Sequence, residues 1–528
     1  MTGHMTATLA PGIARTTPPA RMPRQIPFII ANEGCERFSF YGMRNVLTQF
    51  LTTTLLLHLP MAERKIAATE VFHTFVIGVY FFPLLGGWLA DRYFGKYRTI
   101  LWFSLIYILG QGCLSAFAYD RTGFYFGLGL IAFGSGGIKP LVASFMGDQF
   151  DSKTKHLAKI MFDAFYWIIN FGSLLASATM PWFMDALGPR IAFGIPGALM
   201  LISTAVLYAG RARYVMVPPP PRNPDSFVRV ARTALLTTAP GRGRPGLVVA
   251  ALGVVAACGS LALWPTAVLD PVPALSLALV LVLGFGGAGT SMQLDRARGV
   301  HPDEAVDGVR AVLRVLILFV PITAFWSLFD QKASTWVLQA DAMAKPLWFR
   351  PSQMQALNPA LVLILIPFNN LVLFPWLRSL GWQPTALRRM TIGLGLTGAS
   401  WVIVAIMQLV LDGGTGFAIQ WQILPYIVLT LGEVLVSATG LEFAYSQAPP
   451  AMKGTVMSFF NLTIAIGSLW VLLANASIRR PAVTDWIATT GLSTTAFYMF
   501  FFAAFAFAAT LMFGLYARRY REVDHYRV

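Results

Sequence analysis

Residues 246–264, GLVVAALGVVAACGSLALW, contain no Asp, Glu, Lys, Arg or His. Residues 271–294, PVPALSLALVLVLGFGGAGTSMQL, are equally free of charge. A helix that crosses the hydrocarbon core of a bilayer needs roughly 20 predominantly apolar residues. Both segments therefore predict transmembrane helices. Their lack of polar groups is typical of helices that face lipid alone rather than lining a pathway.

The same apolar character extends over the whole chain of 528 residues. Hydrophobic residues make up 56% of it and charged residues only 12%, whereas soluble proteins carry about 25% charged residues. We therefore predict an all-α integral membrane protein with about 14 transmembrane helices. The twelve further predicted spans lie near 27–57, 68–91, 99–118, 122–144, 158–185, 191–212, 311–340, 355–377, 387–411, 419–447, 454–476 and 494–517.

The formal net charge of +16 has a simple origin in the loops. If both termini are cytoplasmic, most Lys and Arg residues fall in cytoplasmic segments, as the positive-inside rule requires. This predicts a multi-pass protein of the inner or plasma membrane with both termini in the cytoplasm. Nucleic-acid binding is not needed to explain the charge.

Metal, cofactor and enzymatic chemistry find no support in the sequence. Cys35, Cys113 and Cys258 are scattered through apolar runs, which argues against a disulfide framework or a zinc site. His residues do not cluster with acids, and no nucleophile–base pair or cofactor fingerprint is present. We expect no cofactor, no bound metal and no enzyme activity, and we expect the protein to work as a monomer.

A Pro- and Arg-containing linker separates the two uncharged spans from the six spans before them. Two six-helix halves joined in this way are the plan of the major facilitator fold, which binds its substrate near the midplane between the halves. The predicted parts are a cytoplasmic tail (1–26), a six-helix bundle (27–213), a cytoplasmic linker with two accessory helices (214–310), a second six-helix bundle (311–517) and a cytoplasmic tail (518–528).

The first span carries an unusual stripe of charged and polar residues. Glu33, Glu36 and Arg37 are spaced i, i+3 and i+4, and Tyr41 and Arg44 continue the same helix face. An ionisable side chain at the bilayer centre costs about 2.5–3.5 kcal/mol on insertion scales. Glu33 alone would suit a helix end with side chains reaching the interface, but Arg44 lies too deep. The stripe therefore predicts a polar cavity.

Three more charged residues interrupt otherwise apolar spans. Lys139 lies in the first half, and Asp330 and Glu433 lie in the second. With Arg44, the spans of the first half thus contain two cations, and those of the second half contain two anions. Pairs formed across the interface would act as gates that open when a substrate charge or a proton competes.

Several short motifs stand in order along both halves, beginning with Glu33-x-x-Glu36-Arg37-Phe38-x-Phe40-Tyr41-Gly42. The others are GGWLADR at 86–92, FYWIINFGS at 165–173 and GLEFAYSQAP at 440–449, with the accessory pair near 246–294. They resemble motifs of the proton-dependent oligopeptide transporter family of the major facilitator superfamily. The first is similar to the family's ExxERFxYYG, with Phe40 in place of one Tyr, which removes one possible hydroxyl contact to substrate.

The resemblance implies a proton-coupled symporter that imports di- and tripeptides by alternating access. Its partners would be the peptide, protons and membrane lipid. Carboxylates held away from water can exchange protons near neutral pH. The residues implied in proton coupling are Glu33, Glu36, Arg37 and His73.

The resemblance also implies which residues meet the peptide. Arg44 and Lys139 would meet its C-terminal carboxylate, and Glu433 its N-terminal ammonium. The pairs Lys139–Glu433 and Arg44–Asp330 would be the salt bridges between the halves. The remaining implied contacts are Tyr41, Tyr80, Asn170, Trp326, Asn358 and Phe460.

Some alternatives stay open at this point. His73 is either a structural residue or a proton-sensing one, and Lys332 either pairs with Asp330 or faces the outer vestibule. Rival functions are a related proton-coupled carrier of another solute, such as nitrate, a sugar or a drug-like compound, a membrane enzyme, and a receptor or scaffold. A nitrate carrier would not need Glu433 as an ammonium partner, which favours peptide.

Overall fold

The computed structural model describes residues 22–150, 155–219, 223–238, 243–414, 416–449 and 452–522. These residues are helical almost throughout and form no β-strand. The helices of the first half are α1 (Ile26–Phe50), α2 (Met61–Leu89), α3 (Lys96–Ala116), α4 (Arg121–Gly136), α5 (Lys139–Gly147) and α6 (Lys155–Ala209).

Three helices connect the halves: α7 (Phe227–Leu236), α8 (Pro245–Ala262) and α9 (Pro271–Gln293). The helices of the second half are α10 (Asp303–Asp330), α11 (Thr335–Ala342), α12 (Leu357–Phe368), α13 (Phe374–Ser379), α14 (Ala386–Asp412), α15 (Ile423–Glu433), α16 (Thr439–Gln447), α17 (Lys453–Ile478), α18 (Pro481–Thr489) and α19 (Thr494–Ala517).

The predicted number of membrane crossings is confirmed within the described residues. Twelve helical segments there are long and apolar enough to cross a bilayer. One of them, Ala164–Ala209, is 46 residues long and turns at Gly188, where φ is +79°, so it crosses twice. Helix α1, with its charged stripe, crosses once more. The described residues therefore make fourteen crossings, and the accessory pair separates six from six.

Each half is held together by long helix–helix contacts. In the first half α1 packs along α6, and α4 lies between α2 and α3; in the second, α14 packs against α15 and α19, and α10 against α17. The α2–α4 contact depends on glycine. A Cβ atom built on Gly86 would lie only 2.2 Å from the carbonyl oxygen of Gly136. Small residues at such crossings let two membrane helices approach closely.

The accessory helices α8 and α9 form a hairpin at the edge of the molecule. Only 22% of the residues in each of these spans are buried within the protein, as expected for helices that mainly face lipid. The hairpin is nevertheless attached. Val272, Leu277 and Val280 of α9 pack on a small apolar cluster of Ile77 from α2 and Leu472 from α17.

The linker helix α7 is amphipathic and lies against α9 and α10. Val230 and Ala234 on one side of it are buried. His301, just before α10, has Nδ1 2.7 Å from Asp225 Oδ1 and Nε2 2.9 Å from Thr233 Oγ1. These two contacts hold α7 and the segment just before it against the start of α10.

Because the number of crossings is even, both ends of the described chain lie on one face, here called the terminus face. The opposite face, with the connections at 263–270, 343–350 and 479–493, is called the far face. The polar contacts between the halves cluster towards it. Ser352 Oγ donates to Gln49 Oε1 at 2.6 Å, and Thr48 Oγ1 donates to the Ala333 carbonyl at 2.7 Å. The structure is thus closed at the far face.

Candidate functional site

The first part of the site is a charged cluster on α1. Arg37 Nε lies 2.5 Å from Glu33 Oε1 and 3.2 Å from Glu36 Oε2. Both glutamates are fully buried. Within the described residues, Glu33 Oε2 and both oxygens of Glu36 have no hydrogen-bond partner. Two carboxylates thus face one guanidinium, and their charge is balanced when one carboxyl group carries a proton.

Lys139 stands at the break between α4 and α5, where Gly136, Gly137 and Pro140 interrupt the helix. Its Nζ lies 3.1 Å from the centroid of the Phe40 ring and 5.2 Å from that of Tyr80. An aromatic face attracts an ammonium group through its quadrupole. Phe40, which replaces a Tyr of the family motif, therefore stabilises this ammonium group through a cation–π contact.

The predicted ion pair between Lys139 and Glu433 is not formed in this conformation. Among the described residues Lys139 takes part in no ion pair, and the Glu433 carboxylate accepts a hydrogen bond from Asn358. The Lys139 ammonium group contacts the ring of Phe40 instead, on its own half of the protein. The pair is therefore absent in this conformation, and its formation in another conformation stays a prediction.

Arg44 and Asp330 form an ion pair between the two halves, with Arg44 Nη2 2.5 Å from Asp330 Oδ1. The two side chains are only 7% and 5% exposed. Removing one partner of a buried pair leaves an uncompensated charge and costs about 3–5 kcal/mol. The pair thus favours the arrangement in which the two halves are in contact here.

A cavity of about 210 Å³ lies between the halves beside this pair. Drug-sized ligands occupy pockets of roughly 300–1,000 Å³, so this space suits a small solute. The cavity is lined from the first half by Tyr41, Arg44, Asn45, Tyr80, Tyr166, Ile169, Asn170 and Ser173. From the second half the lining residues are Trp326, Phe329, Asp330, Lys332, Gln355, Asn358, Pro359, Glu433 and Ser437.

Lys332 is a lining residue whose position the sequence left open. Its Nζ donates to Asn358 Oδ1 at 2.7 Å and lies 3.2 Å from the centroid of the Phe329 ring. Asn358 Nδ2 in turn donates to Glu433 Oε2 at 2.5 Å. A chain of contacts thus runs from an ammonium through an amide to a carboxylate along the wall of the second half.

Backbone irregularities position Lys332 and Glu433, the two ends of this series of contacts. Helix α10 ends at Asp330, and the 3₁₀ turn Gln331–Ala333 redirects the backbone so that Lys332 points into the cavity. A π-helical segment, Val434–Ala438, begins directly after Glu433. Such π segments are frequent at functional sites, and sequence periodicity does not reveal them.

His73, on α2 of the first half, contacts two serine residues of the second half. Its Nδ1 lies 3.2 Å from Ser468 Oγ and its Nε2 lies 3.1 Å from Ser334 Oγ. The ring is fully buried. Because a hydroxyl both donates and accepts, either tautomer is satisfied. Both ring nitrogens thus have partners in the second half, so the residue is part of the interface whatever its role in proton coupling.

Phe460 lies outside the lining of this cavity as the structure describes it. Its ring is buried and packs against Phe319 at a centroid distance of 5.4 Å. The helix α17 turns this ring towards α10 and not towards the first half. Asn45 and Gln355, by contrast, line the cavity although the sequence did not single them out, and Tyr166, quoted only as part of a motif, lines it as well.

Within the described part of the chain, His, Cys, Asp and Glu side chains form no group of three that could hold a metal ion. The charged groups that the structure does bring together are of both signs and come from both halves. Such a cavity can bind and orient a small solute that carries an ammonium and a carboxylate.

Comparison with known proteins defines the family. A family model described as the POT family matches residues 97–485. The chain belongs to the POT family. The family's name stands for proton-dependent oligopeptide transporters, which are multi-pass membrane proteins and not a family of enzymes.

The relatives of this chain include animal solute carriers and peptide transporters. Mouse solute carrier family 15 member 2 is 31% identical over 460 residues, which cover 84% of this chain and 56% of the relative. Peptide transporter family 2 of Caenorhabditis elegans is 33% identical over 409 residues, or 74% of this chain and 47% of the relative. The chain thus spans about half the length of the curated relatives it matches.

Solved structures show the same architecture. An auto-inhibited POT family peptide transporter is 64% identical, with a TM-score of 0.93 over 96% of this chain and 99% of that one. A POT family transporter crystallised in meso is 60% identical, with a TM-score of 0.94 over 96% of this chain and 100% of that one. The major facilitator architecture predicted from the sequence is thereby confirmed.

Proposed function

We propose that this POT family member is a proton-coupled symporter that imports di- and tripeptides by alternating access. The observation that carries the proposal is the cavity between the halves, which is lined by two cations and two anions. These residues are Arg44, Lys332, Asp330 and Glu433. The names of the relatives, which include peptide transporters, support the same substrate class.

A zwitterionic peptide has one charge at each end. Its ammonium group would bind at Glu433 and displace the amide of Asn358, which holds that carboxylate now. Its carboxylate would bind at Arg44, with Lys332 as a further cation of the lining; Lys139 lies outside the lining here and would join in another conformation. Because the ends are recognised by charge, the side chains can vary. The aromatic rings and amides that would surround them are Tyr41, Tyr80, Tyr166, Trp326 and Asn170.

The peptide carboxylate would compete with Asp330 for Arg44, and the two halves would separate when their shared ion pair breaks. Arg44 lies on the same helix as the Glu33, Glu36 and Arg37 cluster. A proton on that cluster changes its charge beside the cavity. Protonation and peptide binding would thus act on one helix, which is how the proton gradient would be coupled to transport.

The orientation in the membrane is also part of the proposal. The terminus face would be cytoplasmic, as the positive-inside rule predicts, and the membrane would be the inner or plasma membrane. The structure would then be closed to the outside. Residues 27–213 and 311–517 would be the two moving bundles of a functional monomer, with 214–310 between them as linker and accessory helices.

The nearest rival is a related proton-coupled carrier of another solute, such as nitrate, a sugar or a drug-like compound. A carrier of an anion alone would have no use for the Glu433 carboxylate in the cavity. A neutral sugar carries no charge that could pair with either Arg44 or Glu433. The lining therefore favours a zwitterion.

Uptake into proteoliposomes tests the proposal directly. We expect labelled dialanine to accumulate when an inward proton gradient is imposed, because one pH unit supplies about 1.4 kcal/mol per coupled proton. That is roughly tenfold accumulation for each proton. A proton ionophore should abolish it. If a range of dipeptides shows no gradient-driven accumulation, the peptide assignment is wrong.

Replacement of Asp330 by Asn is expected to open the far face. The change leaves Arg44 buried without its carboxylate, at a cost of about 3–5 kcal/mol in the closed arrangement. Ser352 is fully buried at the closed far face. In a background without native cysteines, we expect Ser352→Cys to react at least roughly tenfold faster with an impermeant maleimide when Asp330→Asn is present.

The matched control is Asp341→Asn, which removes an exposed carboxylate of α11 on the same face. It should leave the labelling rate of Ser352→Cys unchanged. Equal labelling rates in the Asp330→Asn and Asp341→Asn variants would show that the ion pair does not hold the far face closed.

A further inference from the structure

A second cavity, of about 390 Å³, lies at the far face, away from the site between the bundles. Three parts of the protein meet there: α2, the junction of α17 with α18, and the connection of the accessory hairpin. The lining residues are Glu70, Thr74, Ala267, Val268, Asp270, Pro273, Leu472, Ala476, Arg479 and Arg480.

The charges of this cavity are only partly matched. Arg479 binds the Glu70 carboxylate through two nitrogens, with Nε 2.8 Å from Oε1, and so joins the two halves. Arg480 and Asp270, in contrast, take part in no side-chain hydrogen bond or ion pair within the described residues. The cavity therefore presents a guanidinium and a carboxylate without a direct hydrogen-bond or ion-pair partner among the described residues, and Asp270 lies within electrostatic range of Arg479.

The hairpin connection is built in a way that holds Asp270 in place. The backbone NH groups of Val268 and Leu269 both donate to the Leu263 carbonyl, at 3.1 and 3.2 Å. Ala267 has φ of +54° and is, among the described residues, the one non-glycine residue in the left-handed region. Such a conformation costs energy and tends to be kept where a site requires it.

The position of the cavity indicates the source of its ligand. It lies where α17 ends at Ile478 and α9 begins at Pro271, which is the level of the lipid headgroups for helices that span the hydrocarbon core. Its floor is apolar, with Leu472 and Pro273. Directly below it is the apolar cluster through which the lipid-facing hairpin packs on α2 and α17.

We propose that this far-face cavity binds the headgroup of an amine-bearing phospholipid such as phosphatidylethanolamine. The ammonium group would bind the Asp270 carboxylate, the phosphate would bind the Arg480 guanidinium, and the acyl chains would run along the accessory hairpin. The headgroup would thereby join the accessory hairpin to the end of α17, next to the Glu70–Arg479 contact.

Binding can be measured by native mass spectrometry of the full-length protein in detergent, titrated with phosphatidylethanolamine, its N-methylated forms and phosphatidylglycerol. We expect occupancy to fall by roughly tenfold from phosphatidylethanolamine to phosphatidylcholine, since methylation removes the N–H donors of the charge-assisted hydrogen bond. Phosphatidylglycerol, which lacks an ammonium group, should bind as weakly. Equal occupancy by all of these lipids would overturn the proposal.

Variants locate the site. Asp270→Asn and Arg480→Gln should each lower phosphatidylethanolamine occupancy by roughly tenfold, whereas Asp485→Asn and Arg518→Gln, exposed charges outside the cavity, should not. Asp270 and Arg480 are exposed, so we expect all four variants to keep the lipid-free thermal unfolding midpoint. Unchanged occupancy in both cavity variants would refute this location.

Two soluble compounds distinguish the source of the ammonium group. Phosphoethanolamine has the same charged groups without acyl chains, and dialanine is a zwitterion with a carboxylate in place of the phosphate. We expect neither to displace the bound lipid at millimolar concentration. Displacement by dialanine that is lost in Asp270→Asn would identify a peptide site instead and overturn the lipid assignment. It would leave the proposed transport function intact.

Discussion

Replacement of Glu36 by Gln is expected to abolish proton-driven accumulation of dipeptide while counterflow exchange continues. In the present structure Glu33 and Glu36 share the single guanidinium of Arg37, and both Glu36 oxygens lack a hydrogen-bond partner within the described residues. A Gln at this position holds the cluster permanently in the charge state that a proton on Glu36 would produce. The cluster can then no longer pass through a cycle of proton binding and release there.

The expected size of the effect follows from the driving force. Accumulation should fall from roughly tenfold per coupled proton under a gradient of one pH unit to simple equality of the two concentrations. Counterflow, in which unlabelled dipeptide inside exchanges for labelled dipeptide outside, needs no net proton movement. It should therefore stay within about twofold of the unmodified protein, since residues of the cavity are unchanged.

The matched control is Glu304→Gln, which removes an exposed carboxylate at the start of α10. It should leave both accumulation and counterflow intact. If gradient-driven accumulation persists in Glu36→Gln, the proton is carried elsewhere, and Glu33 and His73 become the groups to test in the same assay. If counterflow is lost as well, the residue serves the fold or the substrate and not the coupling.

The sequence was informative wherever burial of a charge in lipid is costly. Few charged residues occur inside the spans, and each needs a cavity or a partner. Arg44, Asp330 and Glu433 were therefore recognisable, and the structure places them around one cavity. The number of transmembrane spans could equally be predicted, because the thickness of the hydrocarbon core fixes the length of a spanning helix.

Contacts that depend on local breaks in a helix could not be predicted from the sequence in the same way. Lys332 turns into the cavity because a 3₁₀ turn follows α10, and no periodicity in the sequence marks that turn. Lys139 faces the Phe40 ring and not Glu433. Which partner a buried cation takes depends on how the two halves are arranged, and one sequence encodes more than one arrangement in an alternating-access protein.

Replacement of Glu433 by Gln is expected to weaken dipeptides far more than N-acetylated dipeptides. Glu433 lines the cavity, and its carboxylate is within 2.5 Å of the Asn358 amide, a neutral donor that a peptide ammonium can replace. Hydrogen bonds to charged groups contribute about 1.5–3 kcal/mol. The apparent affinity for dialanine should therefore fall by roughly 10- to 150-fold. N-acetyl-dialanine, which has no ammonium group, should change by no more than about twofold.

Competition against uptake of a labelled dipeptide measures both affinities in the same proteoliposomes. The control is Glu442→Gln, on the neighbouring helix α16 and exposed in the structure, which should alter neither affinity. The comparison between the two ligands is the decisive measurement, because a general disturbance of the cavity would weaken both to the same extent. Equal losses for dialanine and its acetylated form would refute the ammonium role of Glu433. They would also remove the main reason for preferring a zwitterion to an anion as the substrate of this cavity.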